Sequence, residues 1–276
     1  MRIVAKMPKK NTGKDKMGKT MGLKQICQKT YTLVNGLDDR LVASIGEIED
    51  SFDAIIYGPS GSGKTNCTVM ILKALLMALK TAKAEYISFE EGMGKTVQDL
   101  MIKRHNMLEA VGNRLVITDH LTFDELYKKM ERRQSAKIWV IDSIQASRFT
   151  YHQSQLLKEA FIMSKRKKII IYVSWSEGKV PMGACAKNVE YYANIKMRVQ
   201  DLIMFPKSRY GGNMPFLIYE PGAKMRWGKG FKKAAQISLI QKPAKPITND
   251  VTNNNNGIGN TTDKPAGGIP DSSNCL

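Results

Sequence analysis

The feature that most constrains this chain is an eight-residue loop, Gly58-Pro-Ser-Gly-Ser-Gly-Lys-Thr65, which matches the pattern G-x-x-x-x-G-K-[ST] in full. An apolar segment at 53–57 leads into the loop, and apolar residues follow it at helical spacing: Val69, Leu72, Leu75, Leu76 and Leu79. Glycines permit positive φ angles, and they let backbone N–H groups surround phosphate oxygens at the start of a helix. The segment therefore predicts a strand, a phosphate-binding loop and a helix, as at the start of an α/β fold.

The loop also predicts how a nucleotide would be held. Lys64 would reach the β- and γ-phosphates, and the Thr65 hydroxyl would ligate Mg²⁺. The plainer interpretation is a glycine-rich turn without a ligand, but a flanking strand and helix argue against it. We expect the phosphate chain to contact all eight loop residues: Gly58, Pro59, Ser60, Gly61, Ser62, Gly63, Lys64 and Thr65.

Two other predicted strands end in carboxylates. The apolar segment 137–142 ends at Asp142, and the segment 86–89 runs into Glu90 and Glu91. Because the carboxyl ends of parallel strands meet at one edge of a sheet, Asp142 could hold Mg²⁺ through water. Glu90 could orient or deprotonate an attacking water, with Glu91 as the reserve because it lies further from the strand. The alternative for this pair is an exposed acidic turn.

Between residues 53 and 199, short apolar runs alternate with amphipathic stretches, which predicts a mostly parallel sheet flanked by helices. The predicted strands are 54–57, 85–89, 115–118, 138–142, 169–174 and 195–199, with a further one at 216–220 in an antiparallel extension. The predicted helices are 64–80, 96–107, 123–133 and 153–165. We therefore expect one domain at 25–241, preceded by a basic flexible arm at 1–24 and followed by a disordered polar tail at 242–276.

Charge favours a polyanionic partner. The chain has 43 Lys and Arg against 25 Asp and Glu, a net charge of +18, and much of the excess lies in the two terminal segments. Basic arms of this kind are typical of nucleic-acid-binding proteins, although solvated tails on a near-neutral domain would have the same composition. No run approaches the ~18 apolar residues that span a bilayer. The four scattered cysteines form no C-x-x-C pair, so we expect a cytoplasmic protein without a zinc site, a disulfide framework or a membrane partner.

The order of these features resembles the RecA-like P-loop ATPase superfamily, particularly its RadA, KaiC and DnaB-type helicase branch, over residues 45–230. The two glutamates follow the second strand, where this superfamily places its catalytic glutamate. The stretch 171–183, followed by 193–199, is similar to the family's polar sensor strand, flexible DNA-facing loop and next strand. Lys207-Ser-Arg-Tyr-Gly211 resembles the Lys-x-Arg-[aromatic]-Gly motif of RadA-type proteins. The compact core with basic tails resembles a phage or mobile-element recombination or repair ATPase.

The resemblance implies ATP hydrolysis with Mg²⁺. Lys207 or Arg209 would act on the nucleotide of a neighbouring subunit, so it also implies a homo-oligomeric ring or filament. DNA, single-stranded or branched and bound without sequence preference, would contact the loop after Asp142 and the loop 175–188. The candidate contacts are Arg148, Phe149, Lys179 and Lys187. An aromatic such as Phe149 more often packs in a core, and the two basic residues of the motif could form a solvated turn.

The chain also departs from the family. It lacks the zinc ribbon and protease-like domain of RadA and the primase-binding domain of the DnaB group. The family's sensor histidine is replaced at Trp175, which leaves the sensor role open between Ser174 and Ser176. Three alternatives stay open: a KaiC-like ATPase that switches protein partners without DNA, a small-molecule kinase, and an inactive ATPase used as a DNA-binding scaffold. The kinase leaves the glutamates without a role, and intact Lys64, Thr65 and Asp142 argue against the scaffold.

Overall fold

A single nine-stranded sheet forms the centre of residues 20–235, the part of the chain that the computed structural model describes. Nearly all of the predicted basic arm and the whole of the predicted polar tail lie outside these residues. The strands are β1 (Phe52–Gly58), β2 (Ala84–Ser88), β3 (Leu115–Thr118), β4 (Ile138–Asp142), β5 (Ile169–Glu177), β6 (Val180–Pro181), β7 (Ile195–Gln200), β8 (Ile203–Ser208) and β9 (Phe216–Leu217).

The sheet is parallel through its middle. The strand order is β3-β2-β4-β5-β1-β7-β8-β9, and β6 pairs only with β5. Strands β3, β2, β4, β5, β1 and β7 run parallel, whereas β8, β9 and β6 are antiparallel additions. Strand β5 therefore lies between β1, which leads into the phosphate loop, and β4, which ends at Asp142. This arrangement confirms the predicted fold class.

Helices cover both faces of the sheet. They are α1 (Leu23–Cys27), α2 (Asp39–Ile45), α3 (Lys64–Ala78), α4 (Lys95–Gln98), α5 (Met107–Val111), α6 (Phe123–Glu131), α7 (Ile144–Ser147), α8 (Tyr151–Leu157), α9 (Ala184–Tyr192), α10 (Glu220–Trp227) and α11 (Phe231–Ala234). Side chains alternate along β1, so Ile56 packs with α3 in one apolar core and Ile55 packs with α6 and α8 in another. None of the helices in residues 20–235 is long and apolar enough to cross a membrane.

Several elements differ from the sequence predictions. Strand β8 and helix α9 were not predicted, and the predicted strand 216–220 is only two residues long because α10 begins at Glu220, with a proline in its first turn. The predicted helix 96–107 is α4 extended by a π-helical segment, Asp99–Arg104, and the predicted helix 153–165 is α8 extended by another, Lys158–Ile162. Periodicity alone does not reveal such a local change of helical pitch.

Strand β8 was not predicted because the turn before it and the residues within it are atypical of a β-hairpin. Asp201 and Leu202 form the β7–β8 turn with φ angles of 46° and 65°, without the glycine that usually marks such a hairpin. The strand also contains Pro206, which lacks an N–H group to donate. Strand β9 pairs only with Ile203 and Met204, so Pro206 lies where β8 has no partner on that side.

Candidate nucleotide-binding site

The phosphate loop joins the carboxyl end of β1 to the first turn of α3. Gly61 and Gly63 have φ angles of 69° and 104°, as the motif requires. A Cβ atom on Gly58 would lie 2.1 Å from the Val199 carbonyl oxygen, so only glycine lets the loop pass this close to β7. The Leu202 N–H donates to the Ser62 carbonyl at 2.9 Å. The β7–β8 hairpin therefore supports the loop from one side.

The loop has the features that a phosphate ligand requires. The Lys64 ammonium donates to the Pro59 carbonyl at 3.0 Å, across the loop, and burial lowers its pKa while Glu90 and Asp142 raise it. The Ser62 hydroxyl is buried and has no hydrogen-bond partner in residues 20–235. Pro59 and Ser60 are exposed at the tip of the loop. A partly desolvated ammonium beside an unsatisfied hydroxyl and an open glycine loop fits a phosphate group.

Asp142 lies at the end of β4, beside Ser88 of β2. Its carboxylate accepts a hydrogen bond from the Tyr86 hydroxyl. The pKa of Asp142 is raised to about 6, chiefly by burial and also by Glu90 and Glu91, whereas the Tyr86 hydrogen bond and Lys64 act in the opposite direction. A buried carboxylate near two other acids is stabilised in its ionised form by a bound cation.

The available donors suit magnesium held together with a nucleotide. Thr65 and Asp142 offer hard oxygen ligands, which Mg²⁺ prefers. Across residues 20–235, no three or more His, Cys, Asp or Glu side chains converge into a group that could hold a metal by itself. A magnesium ion at this site would therefore take its other ligands from phosphate and water, as is usual for nucleotide-bound Mg²⁺.

Glu90 and Glu91 lie in the exposed turn that follows β2. The indole N–H of Trp175, at the end of β5, donates to the Glu90 carboxylate at 2.9 Å. The structure thus brings Glu90, Glu91, Asp142 and Lys64 to one edge of the sheet, close enough for their charges to influence one another. The Trp175 contact was not predicted from the sequence, although Trp175 lies near the end of β5 and Glu90 lies just after β2.

A glutamine that the sequence analysis missed joins this edge to the β5–β6 hairpin. The Gln145 side-chain amide donates to the Ser174 hydroxyl and to the Met182 carbonyl, both at 2.8 Å, and its oxygen accepts from the Trp175 N–H at 3.2 Å. Ser174 is fully buried in this network. The Ser176 hydroxyl is buried without a partner in the described residues. Gln145 lies only three residues after Asp142, which is the one indication that the sequence offered.

A cleft of about 930 Å³ opens beside the phosphate loop. This volume is within the range of small-ligand sites. Gly61, Lys64, Thr65 and Glu91 line one side of it, and the other walls come from Asn66, Met70, Arg104, His105, Leu202, Ile218, Tyr219 and Arg226. The Arg226 guanidinium donates to the Gly61 carbonyl at 2.7 Å, so α10 lies against the loop. Sequence reasoning missed Tyr219 and Arg226, because they lie far from the motif along the chain.

Lys207 and Arg209 lie at the opposite edge of the sheet. Strand β8 runs antiparallel to β7, and the Arg209 N–H donates to the Asn194 carbonyl at 3.0 Å, beside the start of β1. Both side chains are exposed. The strand register places Lys207 level with Ile55 and Arg209 near Asp53, so their backbones lie roughly 14 and 19 Å from Gly58 of the same chain. Within one chain, the structure therefore does not bring these two residues to the nucleotide site.

The candidate DNA contacts fall into two groups. Arg148 is exposed after α7, Lys179 is exposed at the β5–β6 turn, and Lys187 is exposed on α9, 4.0 Å from the Glu177 carboxylate. Phe149 is different, and its prediction as a DNA contact was wrong. It is 6% exposed and packs edge-on against Phe89 and Phe123, with ring centroids 5.7 and 5.6 Å away. Burial against these rings leaves no face on which a base could stack.

The fold and the residues at this edge of the sheet define the class of protein fold. A phosphate loop follows a central parallel strand, an acidic strand end lies two strands away, and a glutamate follows the adjoining strand. The chain therefore has the α/β fold of the RecA-like P-loop proteins.

Comparisons with known proteins give no closer assignment. No family model and no curated protein matches the chain. Among solved structures, the flagellar accessory protein FlaH of Methanocaldococcus jannaschii is similar over 69% of this chain and 96% of its own, with 18% identity and a TM-score of 0.47. A KaiC-like protein of Pyrococcus horikoshii is similar over 59% of this chain and 81% of its own, with 18% identity and a TM-score of 0.43.

Proposed function

We propose that the chain is an ATPase of the RecA type whose hydrolysis is stimulated by single-stranded or branched DNA. The observation that carries the proposal is the convergence of Lys64, Asp142 and Glu90 at one edge of the sheet, where Trp175 connects Glu90 to the β5–β6 hairpin. The functional domain would be 25–241, flanked by a basic arm at 1–24 and a polar tail at 242–276. Its setting would be the cytoplasm.

Each residue has a role that its position allows. Lys64 would bind the β- and γ-phosphates and offset the negative charge that develops on them. Thr65 and Asp142 would hold Mg²⁺, which supplies further charge neutralisation when it is bound. Glu90, the exposed carboxylate nearest the strand end, would orient a water molecule and accept its proton, and Glu91 would serve as its substitute. The backbone N–H groups of the loop would fix the phosphate chain in place.

Hydrolysis would depend on assembly. Because Lys207 and Arg209 lie toward the opposite edge of the sheet from the phosphate loop of their own chain, we expect them to act on a nucleotide bound to a neighbouring copy. A cation supplied in this way contributes a factor of ~10³–10⁵ in other P-loop enzymes. We therefore propose a homo-oligomeric ring or filament.

DNA would act through the β5–β6 hairpin. Lys179 is exposed at its turn, and Arg148 follows the α7 segment that contains Gln145. The hydrogen bonds of Gln145 and Trp175 connect this region to Glu90, so a ligand that moves the hairpin would also move the carboxylate. Exposed cations favour contact with the phosphate backbone, which is independent of sequence.

Steady-state ATPase activity with and without single-stranded DNA tests the proposal. We expect stimulation in the wild type and its loss in both Lys64→Ala and Glu90→Gln. Activity that ignores DNA, together with no DNA binding at moderate salt, would contradict the proposal and make a KaiC-like switch between protein partners the leading hypothesis. Absence of activity in the wild type, with DNA binding retained, would favour the inactive scaffold.

A further inference from the structure

A positively charged groove lies at the edge of the sheet opposite the phosphate loop, where β2, β4 and β5 begin. Three adjoining depressions of about 590, 330 and 360 Å³ lie around the loop 132–136. The first two share Lys83, Gln134 and Ser135, and the last two share Arg132. We refer to this surface as the basic groove, which we define by the cations Lys83, Arg132, Arg133, Lys137, Arg166 and Lys168.

Few acids neutralise the basic groove. Glu85 is occupied by Lys129 at 2.5 Å, and Glu131 lies 3.5 Å from Arg166. Asp50 lies between Lys137 and Lys167, at 3.6 and 3.4 Å. The remaining four cations of the groove form no ion pair within residues 20–235: Lys83, Arg132, Arg133 and Lys168. The field at this surface is therefore strongly positive, and it attracts anions from solution.

Lys168 shows how closely these cations are packed. Its side chain is 7% exposed, and its ammonium donates to the Ser135 hydroxyl at 2.7 Å and to the Ala136 carbonyl at 2.6 Å. An ammonium has three donors, so one remains for a ligand. Burial, together with the neighbouring charges of Lys137 and Arg166, lowers the pKa of Lys168 to about 8. This like-charge repulsion destabilises the free protein, and a bound anion would relieve it.

We propose that the basic groove binds the phosphodiester backbone of a nucleic acid without contacting its bases. Three of its cations are arginines, whose planar guanidinium groups match phosphate geometry. The only aromatic residue that lines the depressions, within the described residues, is Trp139, which is 0% exposed and offers no face for stacking. A chain that enters a groove reaches the recessed Lys168, whereas the flat surface of an anionic membrane would contact only the rim.

The basic groove is separate from the site of the proposed ATPase. The five residues of β2 lie between it and the turn that contains Glu90, a distance of roughly 15 Å. It would therefore form a second contact for nucleic acid, beyond that of the β5–β6 hairpin. The inference rests on this surface alone and holds whether or not DNA stimulates hydrolysis.

The experiment compares two charge-neutralised variants of the full chain. Arg132→Gln/Arg133→Gln removes two cations from the groove, and the control Lys232→Gln/Lys233→Gln removes two adjacent exposed cations from α11. Fluorescence anisotropy with a labelled duplex and a labelled oligo-dT, from 50 to 200 mM salt, measures the affinity without ATP. Each lost phosphate contact reduces the duplex salt slope by about 0.9, so we expect the groove variant to lose up to about 1.8 in slope and tenfold or more in affinity.

In the control variant, the salt slope and the affinity for nucleic acid should change much less. Equal losses of affinity in the two variants would mean that net charge alone drives binding, and would contradict the proposal that the basic groove binds nucleic acid. An unchanged affinity in the groove variant would also overturn it, while leaving the ATPase proposal intact. Sedimentation with vesicles containing 30% phosphatidylserine tests an anionic membrane as the ligand instead. Binding to vesicles but not to nucleic acid would contradict the proposal. Binding of a fluorescent ATP analogue checks that each variant is folded.

Discussion

At the scale of single residues, the most informative group is Asp142, because its surroundings destabilise the ionised form of its carboxyl group. Its pKa of about 6 lies above the ordinary 3.8 because the carboxyl is buried beside Glu90 and Glu91. The group therefore binds a proton more tightly in the folded protein than in the unfolded chain, and its ionisation at neutral pH lowers the free energy of unfolding. A bound cation would offset this cost, and such local destabilisation is common at functional sites.

Asp142→Asn should raise the stability of the ligand-free protein at pH 7.5, by up to about 3 kcal/mol. The ionisation cost is absent below pH 4 and complete above pH 6, so the advantage of the variant should shrink as the pH falls through this window. Urea unfolding at several pH values measures this. If Asp142→Asn raised the free energy of unfolding equally at pH 4 and pH 7.5, the ionisation of Asp142 would not be the cause. Magnesium with nucleotide should stabilise the wild type more than the variant.

Trp175 defines a second prediction, because its indole N–H holds Glu90 in place. Trp175→Phe keeps an aromatic ring but removes the donor, so we expect kcat to fall about tenfold while the KM for ATP is unchanged. Glu90→Gln should reduce kcat by a factor of about 10² or more. In the double variant the two losses should not multiply, because both act through the same carboxylate. Multiplying losses would show that Trp175 acts independently of Glu90.

At the scale of elements, the phosphate loop depends on strand β7 as well as on its own motif. Gly58 passes against the Val199 carbonyl, whereas Gly61 faces open space with a positive φ angle. Two glycines of one motif are thus required for different physical reasons. One is required by close packing, the other by backbone conformation.

Gly58→Ala should therefore destabilise the protein more than Gly61→Ala. The first change places a methyl group 2.1 Å from a backbone oxygen, which costs about 3 kcal/mol because β1 and β7 must separate. The second costs about 1 kcal/mol from the left-handed conformation alone. Thermal unfolding of both variants measures the difference. Equal losses would indicate that the loop adapts without moving β7.

The helices and strands also show which features the sequence could predict and which it could not. Helix α6 begins with a capping box formed by Thr122 and Glu125, a feature that residues only three positions apart decide and that the sequence alone can therefore encode. Strand β8 was missed because only its pairing with β7 makes Ile203–Ser208 extended. Phe149 was assigned to DNA and lies in the core, since the rings that cover it come from segments distant in sequence.

At the scale of the whole molecule, the two edges of the sheet separate the nucleotide site from Lys207 and Arg209. We therefore propose that Lys207 and Arg209 act on the nucleotide of a neighbouring copy rather than on that of their own chain. A mixing experiment follows directly from this geometry.

Arg209→Ala keeps an intact phosphate loop, and Lys64→Ala keeps an intact Arg209. Each variant alone should be nearly inactive. In an equal mixture, about a quarter of the interfaces would join a functional loop to a functional Arg209, so activity should recover to roughly that fraction. Lys207→Ala mixed in the same way shows which of the two cations acts. An equal mixture that stays inactive would contradict action between subunits.

The sequence by itself determined the parts that depend on neighbouring residues. The phosphate loop is specified by glycines, a lysine and a threonine in consecutive positions, and the parallel strands by short apolar runs between amphipathic helices. From these, the convergence of Lys64, Asp142 and Glu90 at one edge followed, because parallel strands share their carboxyl end.

Only the tertiary structure decided what depends on residues that are distant in the chain. It placed Trp175 beside Glu90, Gln145 between β5 and Met182, and Arg226 beside the phosphate loop. It also buried Phe149, carried Arg209 away from its own nucleotide site and assembled the basic groove from three segments. The hydrogen bonds among these contacts connect residues 29 to 165 positions apart, and no local pattern encodes them because their free energy comes from packing across the sheet.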